Sequence, residues 1–150
     1  MKWTFYKNLS ECSTEDLYEI LKLRQDIFII EQNCIYDDID GLDKISAHLL
    51  MQNNQGRLIG YLRIVPAGEK FKEVSLGRIA VRLEERGNGY GRELILKGLE
   101  KALEGSESAV RIEAQSHLEE YYSGLGFNST SDVYDLDGIP HLQMVLKDSV

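Results

Sequence analysis

Basic residues are in deficit in this 150-residue chain: 17 Lys and Arg face 25 Asp and Glu, giving a formal charge of -8 and a pI near 4.9. Nucleic acid is therefore not expected as a partner, because phosphate backbones are gripped by clustered Lys and Arg. A cationic substrate fits the balance better, although an acidic surface also serves solubility alone. Cysteine is scarce, with only Cys12 and Cys34, too few for a disulfide framework. The histidines His48, His117 and His141 stand far apart and neither cysteine has a paired-ligand spacing, so no metal site is expected. No apolar run approaches the ~20 residues that cross a bilayer. The opening MKWTFYKN carries no long apolar stretch behind its basic residue, so no membrane partner and a cytoplasmic location are expected. Repeats, low-complexity tracts and linkers are missing too, which points to one domain over residues 1–150.

What is present suits a globular α/β unit: 43% hydrophobic and 28% charged positions, enough to bury a core. Residues 2–8 alternate like a strand, with Trp3 and Phe5 on one face and Thr4 and Tyr6 on the other. In STEDLYEILKLRQDIF, Ser13 is a helix cap, Asp16 completes a capping box, and Leu17, Ile20, Leu21, Arg24 and Phe28 recur at helical spacing. AHLLMQ and RLIGYLRIV, joined by NNQG, form a hairpin. VSLGRIAV is a further strand, and YGRELILKGLEKALEG a helix whose Leu94, Ile95, Gly98, Leu99, Ala102 and Leu103 make one apolar stripe. AVRIEA, a short helix in HLEEYYSGLG and the strands STSDVYDL and HLQMVLK complete the pattern.

One stretch breaks the ordinary rules. RGNGYG places Gly87, Gly89 and Gly91 where a helix begins, although glycine weakens helices. A phosphate-binding P-loop would need Lys and then Ser or Thr after the last glycine, whereas Arg92 and Glu93 follow Gly91. A dinucleotide fingerprint would need a third glycine where Arg92 stands. The remaining reading is backbone N–H groups turned toward a phosphate or pyrophosphate at a helix N-terminus, with Arg86 adding a charge to the same anion.

Arg86-Gly87-Asn88-Gly89-Tyr90-Gly91 resembles the R/Q-x-x-G-x-G/A signature of the GNAT acetyltransferase superfamily, and it follows an apolar strand ending at Val81 as in that family. Tyr122, three residues, then Gly126-Phe127 is similar to the family's Y-x-x-x-G-F ending, and the order of elements agrees from Lys2 to Lys147. LRQDIFIIEQNC, YDDIDGLD, AQSHLEEYY and DGIPHLQM resemble the ElaA-like branch. The resemblance implies a GNAT fold, with a mixed central sheet of about seven strands and helices on both faces. It also implies acetyl transfer from acetyl-CoA, without a metal, directly to the amine of a small-molecule or peptidic acceptor, by a monomer or homodimer.

On that resemblance, the backbone of Gly87, Asn88, Gly89, Tyr90 and Gly91, with Arg86, would hold the pyrophosphate. Ile79, Ala80 and Val81 would flank the pantetheine arm, with amides near Ala80 and Val81 polarising the thioester carbonyl. Gln115 would bond either the cofactor or only the backbone. Tyr122 would be the general acid for the leaving thiolate; its plain alternative is packing, which is the reading for Tyr121. The base is less specified: Glu31 closes an apolar helical run and would accept a proton or hold an ammonium group, or else is a solvated helix end. His141 and His117 are the other candidates, each with a structural alternative. Phe28, Glu31, Gln32, His117 and His141 would shape the acceptor side. Glu113 shares a strand face with Gln115, Cys34 reads as a small, partly buried residue, and the YDDIDGLD acids read as a solvated turn or the rim of a cationic-acceptor site. Two other functions stay open: an acyl-CoA-binding module without turnover, and a nucleotide-binding domain with a Rossmann-like turn.

Overall fold

The structure, a computed structural model, describes residues 1–147. Alternating apolar residues build strands β1 (Lys2–Tyr6), β2 (Ala47–Gln52), β3 (Leu58–Val65) and β4 (Val74–Val81), an antiparallel meander. The chain then crosses over through helix α2 (Tyr90–Ala102) to strand β5 (Ala109–Gln115), parallel to β4. Helix α1 (Thr14–Arg24) lies between β1 and β2 in sequence, and a short helix α3 (Glu119–Ser123) follows β5. Strands β6 (Asn128–Ser129), β7 (Tyr134–Leu136) and β8 (Ile139–Lys147) complete the sheet, in the order β1-β2-β3-β4-β5-β8-β6 with β7 also on β8. The described residues thus hold eight strands where about seven were expected. STSDVYDL is broken into β6 and β7, because residues 130–133 leave the ladder.

Period-two alternation sends side chains to both faces of the sheet. Leu49 and Met51 join Leu94, Ile95 and Leu99 of α2 on one face, while Leu50, Leu58, Tyr61 and Ala80 pack with Ile20, Leu23 and Ile27 on the other. Helices therefore cover both faces of a mixed sheet, as the resemblance implies. The predicted stripe of α2 is the buried one, and Gly98 lets the helix sit against Leu62.

Ser13 caps α1 by accepting from the Asp16 N–H at 3.1 Å. The other half of the expected box does not form, because Asp16 turns its carboxylate to the Tyr6 hydroxyl and the Gln52 amide. Past Arg24 the helix widens into a π-helical segment, Gln25–Glu31, in which Gln32 N–H donates to Ile27 O five residues back. The wider turn shifts the helical register, so Leu23 and Ile27 are buried while Phe28 is only partly covered.

Two irregularities in β4 open the sheet. Pairing with β5 covers only Val74–Leu76 against Val110–Ile112, so Gly77–Val81 and Glu113–Gln115 face one another without ladder bonds. Against β3, Tyr61 pairs with Ala80 but Arg63 pairs with Gly77. Three steps on β4 thus match two on β3, which is a β-bulge. Arg78 occupies it at φ 50°, the left-handed region that non-glycine residues rarely enter.

Candidate active site

The parted strands form a cleft of about 650 Å³ lined by both of their facing edges. Ile79, Ala80, Val81, Arg86, Gln115 and Tyr122 are part of its lining, and so are Phe28, Glu31, Gln32, His117 and His141. These members of the expected donor and acceptor sets, from separate segments of the chain, thus share one cavity. The π-helical segment brings Phe28 and Glu31 there, and Gln115 Nε2 donates to Gln32 Oε1 at 3.4 Å across the gap. On β4 the edge away from β3 has no strand partner from Gly77 onward, so its backbone groups, apart from Val81 O, which accepts from Arg86 Nε, are free for a ligand.

Gly87 to Gly91 lie beyond the cleft lining, next to Arg86 at the start of α2. Gly87 and Gly89 have φ of 87° and 79°, and a Cβ on either would meet nothing within 4 Å. Their glycine identity is set by the left-handed turn, which leaves the N-terminal amides of α2 uncovered. Gly91 differs: its φ is ordinary, and a Cβ there would lie 3.7 Å from the Tyr121 hydroxyl.

Two expected roles meet other partners. The Arg86 guanidinium, expected on the anion, forms a two-pronged pair with Glu31 at 2.8 and 2.9 Å while its Nε donates to Val81 O. Glu31 is exposed rather than buried, and both its oxygens are engaged by that guanidinium. The pair ties the π-helical segment to the end of β4. His141 is arranged differently. Its Nδ1 lies 2.7 Å from Ile139 O; a carbonyl can only accept, so Nδ1 is a donor and, in the neutral ring, Nε2 holds the lone pair.

Tyr122 is 7% exposed, with its ring edge-on to both Tyr121 and Phe127. Burial, with a smaller contribution from Tyr121, pushes its hydroxyl well above the usual phenol range, so it remains a proton donor. Tyr121 is 42% exposed; it packs on Tyr122 and reaches toward the glycine loop.

Several lining residues were not singled out from sequence: Tyr36, Lys70, Arg78 and Asp137. Of the YDDIDGLD acids, expected as a solvated turn or an acceptor rim, Asp38, Asp40 and Asp43 are paired with arginines, whereas Asp37 is exposed and lines the cleft with Asp40. Asp43 is buried between Arg24 Nη1 at 2.7 Å and Arg63 Nη1 at 3.0 Å, and Asp40 pairs with Arg63 at 2.6 Å. Burial opposes ionisation of Asp40, but the Arg63 hydrogen bond and charge outweigh it and hold the carboxyl below the carboxylate range. The three-residue spacing of Asp40 and Asp43 was visible; their arginine partners are up to 38 residues away and were not. Glu113 likewise accepts from the Tyr134 hydroxyl and pairs with Lys70 at 3.2 Å. Burial first, then that bond to Glu113, pushes Tyr134 up to about 12. Cys34 is buried, its thiol donating to Asp137 O.

Residues 13–147 match the family described as acetyltransferase (GNAT) domain. The chain is 38% identical over 138 residues to Protein ElaA of Escherichia coli, an alignment spanning 90% of each. The crystal structure of Escherichia coli ElaA superposes with a TM-score of 0.88 at 35% identity, covering 97% of this chain and 99% of that one. An acyl-CoA N-acyltransferase from Pseudomonas aeruginosa superposes with a TM-score of 0.87 at 34% identity, over 97% and 98%. A parted β4–β5 pair, a glycine turn at the head of α2 and these likenesses lead to one statement: the chain belongs to the GNAT acetyltransferase family and is similar to ElaA.

Proposed function

We propose that this single-domain chain is an N-acetyltransferase that moves an acetyl group from acetyl-CoA directly to the amine of a small-molecule or peptidic acceptor. The observation that carries the reading is the unpaired edge of β4, Gly77–Val81, which faces a cleft that contains Tyr122 and His141. An extended pantetheine arm matches a strand edge with open donors and acceptors, and the uncovered amides after Gly87 and Gly89 suit its pyrophosphate. Acetyl-CoA supplies the acetyl group already activated as a thioester.

The chain's own residues then have separable tasks. The backbone amide of Val81, which faces the open edge of β4 while Ala80 pairs with Tyr61, stabilises negative charge growing on the carbonyl oxygen. His141 Nε2 accepts the proton of the incoming ammonium group, since only the free amine is a nucleophile. Glu31, clamped at both oxygens, acts through Arg86 to fix the mouth of the cleft. The Tyr122 hydroxyl donates its proton to the departing sulfur. The carboxylates of Asp37 and Asp137 line the same cavity and favour an acceptor that arrives as a cation.

The test is incubation with acetyl-CoA and a panel of polyamines, amino acids, aminosugars and peptides, read by free thiol release and product mass. An acetylated amine supports the reading. Coenzyme A binding without product from any amine would instead favour a binding module, and stabilisation by NAD but not coenzyme A would favour a nucleotide site.

A further inference from the structure

The left-handed residue at the bulge of β4 is an arginine, although Gly77 stands beside it and glycine would take that conformation without strain. A side chain kept in a disfavoured backbone position implies that the side chain itself is needed. Arg78 Nε lies 2.8 Å from Asp38 Oδ1 as a charge contact. Its Nη2 donates to Asp38 O at 3.0 Å and to Asp40 Oδ2 at 3.2 Å. The guanidinium also stacks 5.3 Å from the centre of the Tyr36 ring. All these partners belong to residues 36–40, and Tyr36, Asp37 and Asp40 line the acceptor side of the cleft.

We infer that Arg78 is a positioning residue: one side chain holds the β4 bulge, and so the donor edge Ile79–Val81, at a set distance from the wall that receives the acceptor. The inference rests on the acetyltransferase reading for its kinetic consequence, but its structural half stands without turnover. The wall does not need Arg78 for its own charge balance. Asp38 is also held by Arg24 Nε at 3.0 Å, and Asp40 by Arg63 Nη1 at 2.8 Å and Nη2 at 2.6 Å. Removing Arg78 therefore strands neither carboxylate, and it releases the left-handed strain if glycine takes its place. The link between the two walls is what is lost.

Arg78→Gly is the decisive variant, with Arg78→Lys keeping a charge but not the fork. Misalignment of the reacting groups costs up to about 10²-fold, so kcat should fall about 10- to 100-fold in Arg78→Gly and less in Arg78→Lys. Coenzyme A keeps its pyrophosphate contacts at the glycine turn, so its affinity should fall less than kcat, and the melting temperature should change little. A role confined to stability would do the reverse, lowering the melting temperature with kcat preserved in the folded fraction. Independently of any substrate, exchange of the Ala80 amide, which pairs with Tyr61 on β3, should quicken by about tenfold or more in Arg78→Gly while β2 stays unchanged. Unaltered exchange at that amide, or wild-type kcat in Arg78→Gly, overturns the inference. If the wild-type chain acetylates no amine, the functional reading fails on its own and the exchange experiment still decides the role of Arg78.

Discussion

Tyr122 carries the sharpest consequence at the scale of single residues. Its ring is locked between Tyr121 and Phe127, so Tyr122→Phe keeps the packing and deletes only the proton donor. A general acid acts in the transition state, so kcat should fall by about 10²–10⁴-fold with little change in acetyl-CoA affinity. A packing role predicts near-normal turnover and the loss of one hydroxyl interaction, roughly 0.5–1.5 kcal/mol. Single-turnover rate and melting temperature measured on the same protein separate the two. The candidate bases differ in what their atoms are already doing. Glu31 has both oxygens on Arg86, whereas in His141 only Nδ1 is engaged, donating to Ile139 O.

Helix α2 makes two glycine demands of different kinds at the scale of elements. Gly89 precedes it at φ 79° with open space around, so Gly89→Val strains the turn and sets a side chain over the amides that face the pyrophosphate. Coenzyme A binding, followed by calorimetry, should weaken; full affinity in a folded variant would remove the turn from the cofactor site. Gly91, at ordinary helical φ, should tolerate alanine far better. Gly98 is a packing requirement: a Cβ there would stand 2.7 Å from Leu62 Cδ2, and Leu62 is itself fully buried. Overpacking of this kind costs typically about 1–3 kcal/mol, so Gly98→Ala should lower the denaturation midpoint with the denaturant slope preserved. An unchanged midpoint would mean that the helix and sheet shift apart freely.

Acid stability is a property of the whole molecule, because the buried polar frame joins α1, the 36–43 segment, β2, β3 and β4. Burial lowers His48 below its ordinary 6.5, with its ring bonded to Tyr61 and to Asp43 O. A depressed pKa in the fold means that its contribution is complete above about pH 6.5 and is lost as pH falls through the folded value. Burial acts to raise Asp43, but Arg24 and Arg63 outweigh it and lower the group below its ordinary 3.8, as happens at Asp40. Their contribution is complete above about pH 4 and disappears as pH falls through their folded values. Melting temperature should therefore begin to decline below about pH 6.5 and drop steeply under about pH 4. His48→Gln should abolish the first decline and keep the second; a melting temperature flat from neutral pH to pH 4 would contradict the assignment of His48.

Local physics was readable in the chain. The stripe from Leu94 to Ala102 follows from helical periodicity, the β2–β3 hairpin from alternation around NNQG, and the Ser13 cap from a hydroxyl at a helix start; each depends on residues a few positions apart. The glycine turn and the place of Tyr122 in the cleft lining were expected from the family resemblance carried by RGNGYG and by Tyr122 to Phe127. What the sequence could not specify is pairing between distant charges. Asp38, Asp40 and Asp43 look like a solvated turn until folding brings Arg24, Arg63 and Arg78 to them, and Arg86 looks like a free anion ligand until Glu31 reaches it across 55 residues. The π-helical widening past Arg24 and the bulge at Arg78 were equally hidden, since both trade local regularity for contacts elsewhere in the fold. Local propensity and periodicity determined the elements and their order; long-range electrostatics and the parting of two strands decided which side chains face one another in the cleft.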